Sequence, residues 1–143
     1  MLVMMLTGCN KTADIDITRP NVVIVFIDDE GYGDPGCYGA TGYQTPHVDQ
    51  LAADGIRFTH FYSGQPVCSV SRAALLTGCY PNRLSIPGAF FPFDTTGLNP
   101  NEYTMAEMFR DQGYTTACFG KWHLGWQKEF LPLQHGFDEY LGL

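Results

Sequence analysis

The stretch NVVIVFI, residues 21–27, is followed at once by two acids, Asp28 and Asp29. A continuous run of β-branched and large apolar residues is typical of a strand that is covered on both faces of a parallel sheet. We therefore predict a buried strand over residues 21–27, with the two acids at its carboxyl end. Ligands of open α/β sheets bind at such ends, so both acids are candidates for a functional site.

Helix and strand signals alternate along the rest of the chain. Helices are expected where an opening Thr-Pro, Ser or Thr precedes an apolar periodicity that ends at Gly, and strands where apolar residues alternate or run together. The predicted helices cover residues 45–53, 72–77 and 105–112, and the predicted strands cover residues 56–62 and 114–119. We expect an α/β fold with a mostly parallel sheet and helices on both faces.

Composition limits the classes of function. The 143 residues are 45% hydrophobic and 14% aromatic, which is enough apolar material for the core of one modest domain. Eight basic against fifteen acidic residues give 8 − 15 = −7. Because this charge repels polyanions, nucleic-acid binding is not expected. An anionic substrate would need a site that a metal ion and a few cations make locally positive.

The first 18 residues differ from the rest. Residues 1–9 are apolar and end in Leu-Thr-Gly-Cys, which resembles the lipobox of bacterial lipoproteins, and residues 11–18 form a polar tether. We expect residues 1–18 to be a lipoprotein signal and tether, with Cys9 lipidated. The protein would then be exported, either periplasmic or anchored to a bacterial membrane through Cys9. The alternative is an apolar N-terminus with no targeting role.

The cysteines do not form a recognisable framework. The five, an odd number, are Cys9, Cys37, Cys68, Cys79 and Cys118, and they show neither a CxxC pair nor zinc spacing. Cys118 lies in an apolar run and is expected to be a small buried hydrophobe.

Two acidic residues and one thiol are the first candidates for chemistry. Asp28 and Asp29 are adjacent carboxylates that would repel each other in an apolar setting unless a hard divalent cation lay between them. Equally, both could simply cap the loop that follows. Cys68 precedes a predicted helix that Ser69 or Ser71 would cap, and Arg72 follows four residues later, so an anion is favoured there. A buried, unreactive thiol is the alternative for Cys68.

Two basic side chains follow the last predicted strand. Lys121 and His123 are two residues apart, so in an extended chain they project to one side, with Trp122 on the other. Lys121 could bind an anion and His123 could pass a proton. A solvated lysine and a hydrogen-bonded histidine are the alternative interpretation. Residues 84–101, which lie between Cys68 and Lys121 in the sequence, are expected to be an irregular surface segment. Its Phe90, Phe91 and Phe93 could either line a pocket rim or lie under another part of the protein.

Four stretches resemble motifs of the formylglycine-dependent sulfatases in the alkaline phosphatase superfamily. PVCSVSRAALLTG, residues 66–78, resembles the first sulfatase signature, and GYTTACFGKWH, residues 113–123, resembles the second. Two further stretches are similar to the opening metal-binding strand of the family and to the segment after it. They are RPNVVIVFIDDEGYGDPGCYG, residues 19–39, and TPHVDQLAADGIRFTHFYS, residues 45–63. The four occur in the family's order, so residues 19–143 resemble the N-terminal part of a sulfatase catalytic domain.

The resemblance implies a site and a mechanism. Asp28, Asp29 and the modified Cys68 would bind Ca²⁺ or Mg²⁺, and a separate maturation enzyme would oxidise Cys68 to formylglycine. Arg72 would hold that group, Lys121 would contact it and the sulfate, and His123 would hydrogen-bond the hydrated aldehyde. One hydroxyl of the hydrate would attack the sulfur of a sulfate ester and release the alcohol. The second hydroxyl would then expel sulfate and regenerate the aldehyde.

The chain departs from the family pattern in two respects. Val70 stands where the maturation motif has proline, so Cys68 could stay an unmodified thiol. In the family, further site residues come from a region that this chain lacks; they are the remaining metal ligands (an Asp with an Asn or His), a further histidine and a second lysine. We therefore expect this chain to be an N-terminal portion that is inactive alone. A phosphonate or phosphate ester hydrolase of the same superfamily and a non-catalytic remnant are the alternatives to a sulfatase.

Overall fold

A computed structural model describes residues 19–143, which contain three α-helices and two strands. The elements in chain order are α1 (Pro46–Asp54), α2 (Cys68–Thr77), α3 (Met105–Asp111), β1 (Ala117–Gly120) and β2 (Glu139–Gly142). Short 3₁₀ turns lie at Gly36–Tyr38, Pro81–Leu84, Lys128–Phe130 and Pro132–Gln134. The chain divides into two compact units, Met1–Glu30 and Gly31–Leu143, and all five elements belong to the second.

The three predicted helices are present, but α2 begins four residues earlier than predicted, at residue 68 and not at residue 72. Local signals explain several of the helix ends. Helix α1 has proline at its first position, where the missing N–H costs nothing. Helix α2 ends at Gly78, whose φ of 67° is a left-handed conformation that glycine adopts without strain. Helix α3 begins with a capping box, in which the Thr104 hydroxyl accepts from the Glu107 N–H and the Glu107 carboxylate accepts from the Thr104 N–H.

The α/β class is confirmed by a parallel pair of strands in the second unit. Ala117 pairs with Glu139 and Gly120 with Gly142, so β1 and β2 run in register over four residues each. Strand β1 starts three residues later than predicted. The parallel connection passes through the two 3₁₀ turns at Lys128–Phe130 and Pro132–Gln134. Lys121 and His123 follow β1 directly, as predicted.

Two predicted strands are wrong among the residues that the structure describes. Neither residues 21–27 nor residues 56–62 form a strand, although the exposure of residues 22–26 alternates (49, 85, 49, 79 and 40%), as it does in an extended chain. A strand requires a hydrogen-bonded neighbour along its edge, and the sequence pattern carries no information about that neighbour. The expectation that residues 21–27 are buried on both faces is also wrong here.

The core of the second unit lies between α2 and segments that follow it in the chain. Its buried members are Val70, Ala73, Leu84, Ile86, Leu98, Trp122 and Leu124. Cys118 is half-buried against this cluster, which agrees with a small hydrophobe. Burial raises the pKa of the Cys118 thiol, and the nearby charge of Arg72 opposes the rise.

Residues 84–101 are irregular, as predicted, but they contribute to the core. Leu84, Ile86 and Leu98 are buried, whereas Phe91 and Phe93 are 67 and 92% exposed. The Leu98 N–H donates to the Leu124 carbonyl over 2.8 Å, so this segment is bound to the chain that follows β1. The segment is therefore a strap across the core with two exposed aromatic rings.

The predictions for the first 18 residues, including lipidation of Cys9, lie outside the described residues. No helix within residues 19–143 is long and apolar enough to cross a membrane. Four cysteines in that range, Cys37, Cys68, Cys79 and Cys118, are free thiols.

Candidate active site

Cys68 is the first residue of helix α2. Val67 precedes it in an extended conformation with φ −139° and ψ 134°, and no side chain caps the helix. The prediction that Ser69 or Ser71 caps the helix is wrong, because α2 begins at residue 68 and includes both serines. Cys68 therefore lies within the first turn, where the backbone N–H groups have no intrahelical acceptors and favour a negative charge.

Lys121 brings a cation to the thiol. Its Nζ donates to the Sγ of Cys68 over 3.3 Å, although the two residues are 53 positions apart in the chain. Lys121 is exposed and directly follows Gly120, whose φ of 101° turns the chain at the end of β1. The sequence-predicted pair of Cys68 and Lys121 is thus brought together by the contact between α2 and the end of the strand.

Arg72 lies one turn after Cys68 and is 9% exposed. Its Nη1 donates to the Lys121 carbonyl oxygen over 2.6 Å. This hydrogen bond joins α2 to the backbone of the residue whose side chain reaches Cys68. A charge-assisted bond to a carbonyl is stronger than a neutral one, so Arg72 stabilises the position of Lys121.

His123 is held by the strap and not by the thiol. Its Nε2 makes a 2.7 Å hydrogen bond with the Phe90 carbonyl oxygen, and the Phe90 N–H donates to the Ser69 hydroxyl over 3.1 Å. The Nδ1 atom of His123 is buried without a hydrogen-bond partner among the described residues. The backbone of His123 is left-handed, with φ 55°, so the extended geometry predicted from Lys121 to His123 does not continue through this residue.

Trp122 lies in the core, whereas Lys121 before it is exposed. Trp122 is 4% exposed, its Nε1 donates to the Phe130 carbonyl over 2.7 Å, and its ring meets the edge of Phe137 at 6.1 Å between centroids. The Trp122 N–H donates to the Leu143 carbonyl over 2.7 Å. Because Trp122 is fixed inside the protein, the chain on either side of it has a defined position.

Asp28 and Asp29 belong to the other compact unit, where both are exposed. They form a bend after residues 21–27, and Asp29 has a left-handed backbone with φ 59°. Aspartate tolerates this conformation better than most residues. Both carboxylates are thus open to solvent, and oxygen ligands of this kind suit a hard divalent cation.

Val70 occupies a fully buried position in the core. The first backbone hydrogen bond of α2 runs from the Ser71 N–H to the Val67 carbonyl, so the N–H of residue 70 lies outside the helical ladder. A proline at this position would remove no hydrogen bond within the helix. The fold is therefore compatible with the residue that the family motif carries there.

Two contacts at the site are not predicted from the sequence. The buried Ser69 hydroxyl and the Phe90 backbone connect α2 to His123. The sequence pattern suggests Ser69 only as a helix cap. Every residue has a backbone carbonyl, so the sequence cannot show that the Phe90 carbonyl contacts His123. A serine directly after the proposed nucleophile is the one signal that the sequence offers.

Comparison with known proteins gives matches over nearly all of the described residues. The family profile described as Sulfatase matches residues 20–143. The chain is 50% identical over 135 residues to arylsulfatase A of Homo sapiens, covering 92% of this chain and 27% of that protein. It is 43% identical over 138 residues to steryl-sulfatase of Homo sapiens, covering 88% of this chain and 24% of that protein.

A solved structure matches as well. The crystal structure of PsFucS1 sulfatase from Pseudoalteromonas sp. superposes with a TM-score of 0.79 at 42% identity, covering 88% of this chain and 26% of that one. The fold and the profile together show that the chain belongs to the sulfatase family, and the predicted α/β fold class is confirmed. The chain spans about a quarter of the length of the relatives it matches.

Proposed function

We propose that the protein to which this chain belongs is a sulfuric ester hydrolase whose nucleophile derives from Cys68. The observation that carries the proposal is the 3.3 Å contact from Lys121 Nζ to Cys68 Sγ at the first turn of α2, within the two sulfatase motifs. Oxidation of Cys68 to formylglycine would supply an aldehyde hydrate whose hydroxyl attacks the sulfur of a sulfate ester.

The residues around position 68 would stabilise the negative charge of the sulfate. Lys121 places an ammonium group at the reacting residue, and the N-terminus of α2 adds the positive end of a helix dipole. Arg72 holds the Lys121 backbone in place. This local positive field compensates for the net charge of −7, which would otherwise repel an anionic substrate.

His123 is proposed to hold or move a proton. Its Nε2 is engaged by the Phe90 carbonyl, so Nδ1 is the nitrogen that remains for proton exchange. General acid–base catalysis by a positioned histidine typically contributes about 10²- to 10⁴-fold in rate.

A divalent metal ion is part of the proposal. Asp28, Asp29 and the modified residue 68 would hold Ca²⁺ or Mg²⁺, because exposed carboxylates are the hard oxygen ligands that these ions prefer. The metal would neutralise charge on the sulfate oxygens. A calcium titration followed by calorimetry tests this, since binding should weaken in Asp28→Asn and Asp29→Asn. Unchanged affinity in both variants would reject the assignment.

The substrate and the maturation partner follow from the same proposal. The relatives are named arylsulfatase A and steryl-sulfatase, which supports a sulfate ester as the substrate class. A formylglycine-generating enzyme would be the partner that acts on Cys68. Export and attachment to a membrane through lipidated Cys9 are a further proposal, which intact mass measurement of the membrane fraction would test.

The decisive experiment is mass spectrometry of the peptide that contains residue 68, after coexpression with a formylglycine-generating enzyme. Conversion replaces one sulfur and two hydrogens by one oxygen, so the peptide mass falls by a fixed amount. A full-length protein that contains this chain should then hydrolyse an aryl sulfate, and Cys68→Ala should abolish turnover. Cys79→Ala is the matched control, because Cys79 is a half-buried free thiol just beyond the opposite end of α2.

Three outcomes would contradict the proposal. Sulfatase activity retained in Cys68→Ala would reject the nucleophile. Hydrolysis of an aryl phosphonate in preference to the sulfate would favour a phosphonate or phosphate ester hydrolase. Val70 in place of proline supports a separate candidate, a non-catalytic protein with an unmodified thiol, and an unchanged peptide mass together with no turnover would favour it.

A further inference from the structure

Helix α2 and His123 are connected by two hydrogen bonds through one residue of the strap. The Ser69 hydroxyl oxygen accepts from the Phe90 N–H over 3.1 Å, and the Phe90 carbonyl oxygen lies 2.7 Å from His123 Nε2. Ser69 is fully buried and directly follows Cys68. The connection therefore runs from the residue next to the proposed nucleophile to the proposed proton carrier.

The second hydrogen bond determines where the proton of a neutral His123 ring lies. A backbone carbonyl oxygen can only accept, so Nε2 must carry the hydrogen. The Nδ1 atom is then left with a lone pair, and it is buried without a hydrogen-bond partner among the described residues. In this tautomer, Nδ1 can act as a base, and Nε2 fixes the ring by its hydrogen bond to the Phe90 carbonyl, which is called the anchor below.

The anchor depends on how Phe90 is held. The Phe90 side chain packs partly against the core, but Phe91 and Phe93, which follow it, are 67 and 92% exposed and add little packing. The Ser69 hydroxyl is the polar contact that fixes the Phe90 N–H, and hence the direction of the carbonyl on the same residue. His123 also has a left-handed backbone, with φ 55°, a conformation that persists only where surrounding contacts hold it.

We propose that Ser69 is a positioning residue that, through the Phe90 backbone, holds His123 with Nε2 protonated and Nδ1 available as a base. The use of Nδ1 in turnover rests on the proposed function. The positioning itself does not, because it concerns only contacts within Gly31–Leu143.

The test is ¹⁵N NMR of the imidazole of His123, at a pH where the ring is neutral. In the wild-type chain, the Nε2 signal should be that of a protonated nitrogen and the Nδ1 signal that of an unprotonated one. A wild-type spectrum with the proton on Nδ1, or with a rapid mixture of both forms, would overturn the proposal without any variant.

Two isosteric variants separate the effect of the Ser69 hydroxyl from the effect of side-chain size. Ser69→Thr keeps it and Ser69→Val lacks it, while both add the same bulk at this buried position. We expect the threonine variant to retain the wild-type tautomer and the valine variant to give a mixture, with faster hydrogen exchange at the Phe90 amide. Ser71→Ala, two residues further along the same helix, should leave both signals unchanged. Identical His123 spectra in the threonine and valine variants would reject a role for the hydroxyl.

Activity measurements separate this inference from the proposed function. In a full-length protein whose conversion to formylglycine is first verified by mass, Ser69→Val should lower kcat roughly 10- to 100-fold, as a misplaced catalytic group does, with little change in KM. If Ser69→Val alters the His123 tautomer but neither the wild type nor any variant turns over a sulfate ester, the proposed function is refuted and the positioning role of Ser69 is retained. An unaltered tautomer in Ser69→Val would refute the positioning alone.

Discussion

At the scale of single residues, the site depends on where one ammonium group lies. Lys121 is exposed, so its side chain has the freedom of a surface lysine, yet its Nζ reaches Cys68 Sγ at 3.3 Å. The backbone accounts for this, because Arg72 binds the Lys121 carbonyl and the next residue, Trp122, is buried. Fixing the main chain on both sides of the lysine Cβ limits the positions that the ammonium group can occupy.

Replacing this group should impair catalysis and spare folding. In a full-length protein, Lys121→Met should lower kcat/KM for an aryl sulfate about 10²- to 10³-fold, the usual cost of removing one preorganised charge-stabilising donor. Thermal unfolding should be nearly unchanged, since Lys121 is exposed. Lys128→Met removes another exposed lysine and serves as the control. Equal activities of the two variants would contradict the role of Lys121.

At the scale of elements, the start of helix α2 bears on the proposed conversion of Cys68. The ladder begins with the bond from the Ser71 N–H to the Val67 carbonyl, so residues 68–70 offer N–H groups that no helical carbonyl accepts. Val70 is one of these, and its side chain lies in the core. The same position carries proline in the motif that the sequence resembles.

Val70→Pro should raise the fraction of Cys68 that is converted to formylglycine, and it should not unfold the helix. Peptide mass spectrometry after coexpression with the maturation enzyme measures the conversion, and circular dichroism measures the helix. Ala74→Pro is the control, because residue 74 is inside the same helix and a proline there costs about 3 kcal/mol or more. Lower conversion in Val70→Pro with an intact helix would show that valine is the better residue at this site.

At the scale of the Gly31–Leu143 unit, stability should depend on His135. This residue is fully buried, its two ring nitrogens have no hydrogen-bond partner among the described residues, and its ring lies 5.8 Å from that of Trp122. Burial lowers the pKa of His135 from its ordinary value of 6.5, and the charge of Glu107 opposes this shift. Protonation of the ring is thus less favourable in the folded protein than in the unfolded chain.

The sign of the pH dependence follows from this difference. Below the ordinary pKa of 6.5, the unfolded chain binds a proton that the folded protein does not, so the free energy of unfolding should fall as the pH falls through 6.5 and below. Urea unfolding at several pH values measures the slope. His135→Leu should flatten it, whereas His47→Gln, at an exposed histidine, should not. Equal slopes in the wild type and His135→Leu would assign the acid sensitivity to other groups.

The sequence by itself determined the order of the sulfatase motifs, the presence of three helices and the start of α3 after Thr104, but it did not predict where α2 begins. Helices and caps depend on contacts between residues at most four apart, such as Thr104 with Glu107, and such contacts can be read from a linear pattern. The contact of Lys121 with residue 68 is implied by the resemblance to the sulfatase motifs, and the structure brings Lys121 Nζ to 3.3 Å from Cys68 Sγ.

Only the tertiary structure decided which strands pair and how the site residues are held. Residues 21–27 and 56–62 have strand-like sequences, but a strand exists only where another segment supplies the opposite hydrogen-bonding edge. The contact of Ser69 with the Phe90 N–H, and that of His123 with the Phe90 carbonyl, join residues 21 and 33 positions apart through backbone atoms that every residue possesses. Because such atoms are the same in all sequences, their partners are set by the folded chain and not by residue identity.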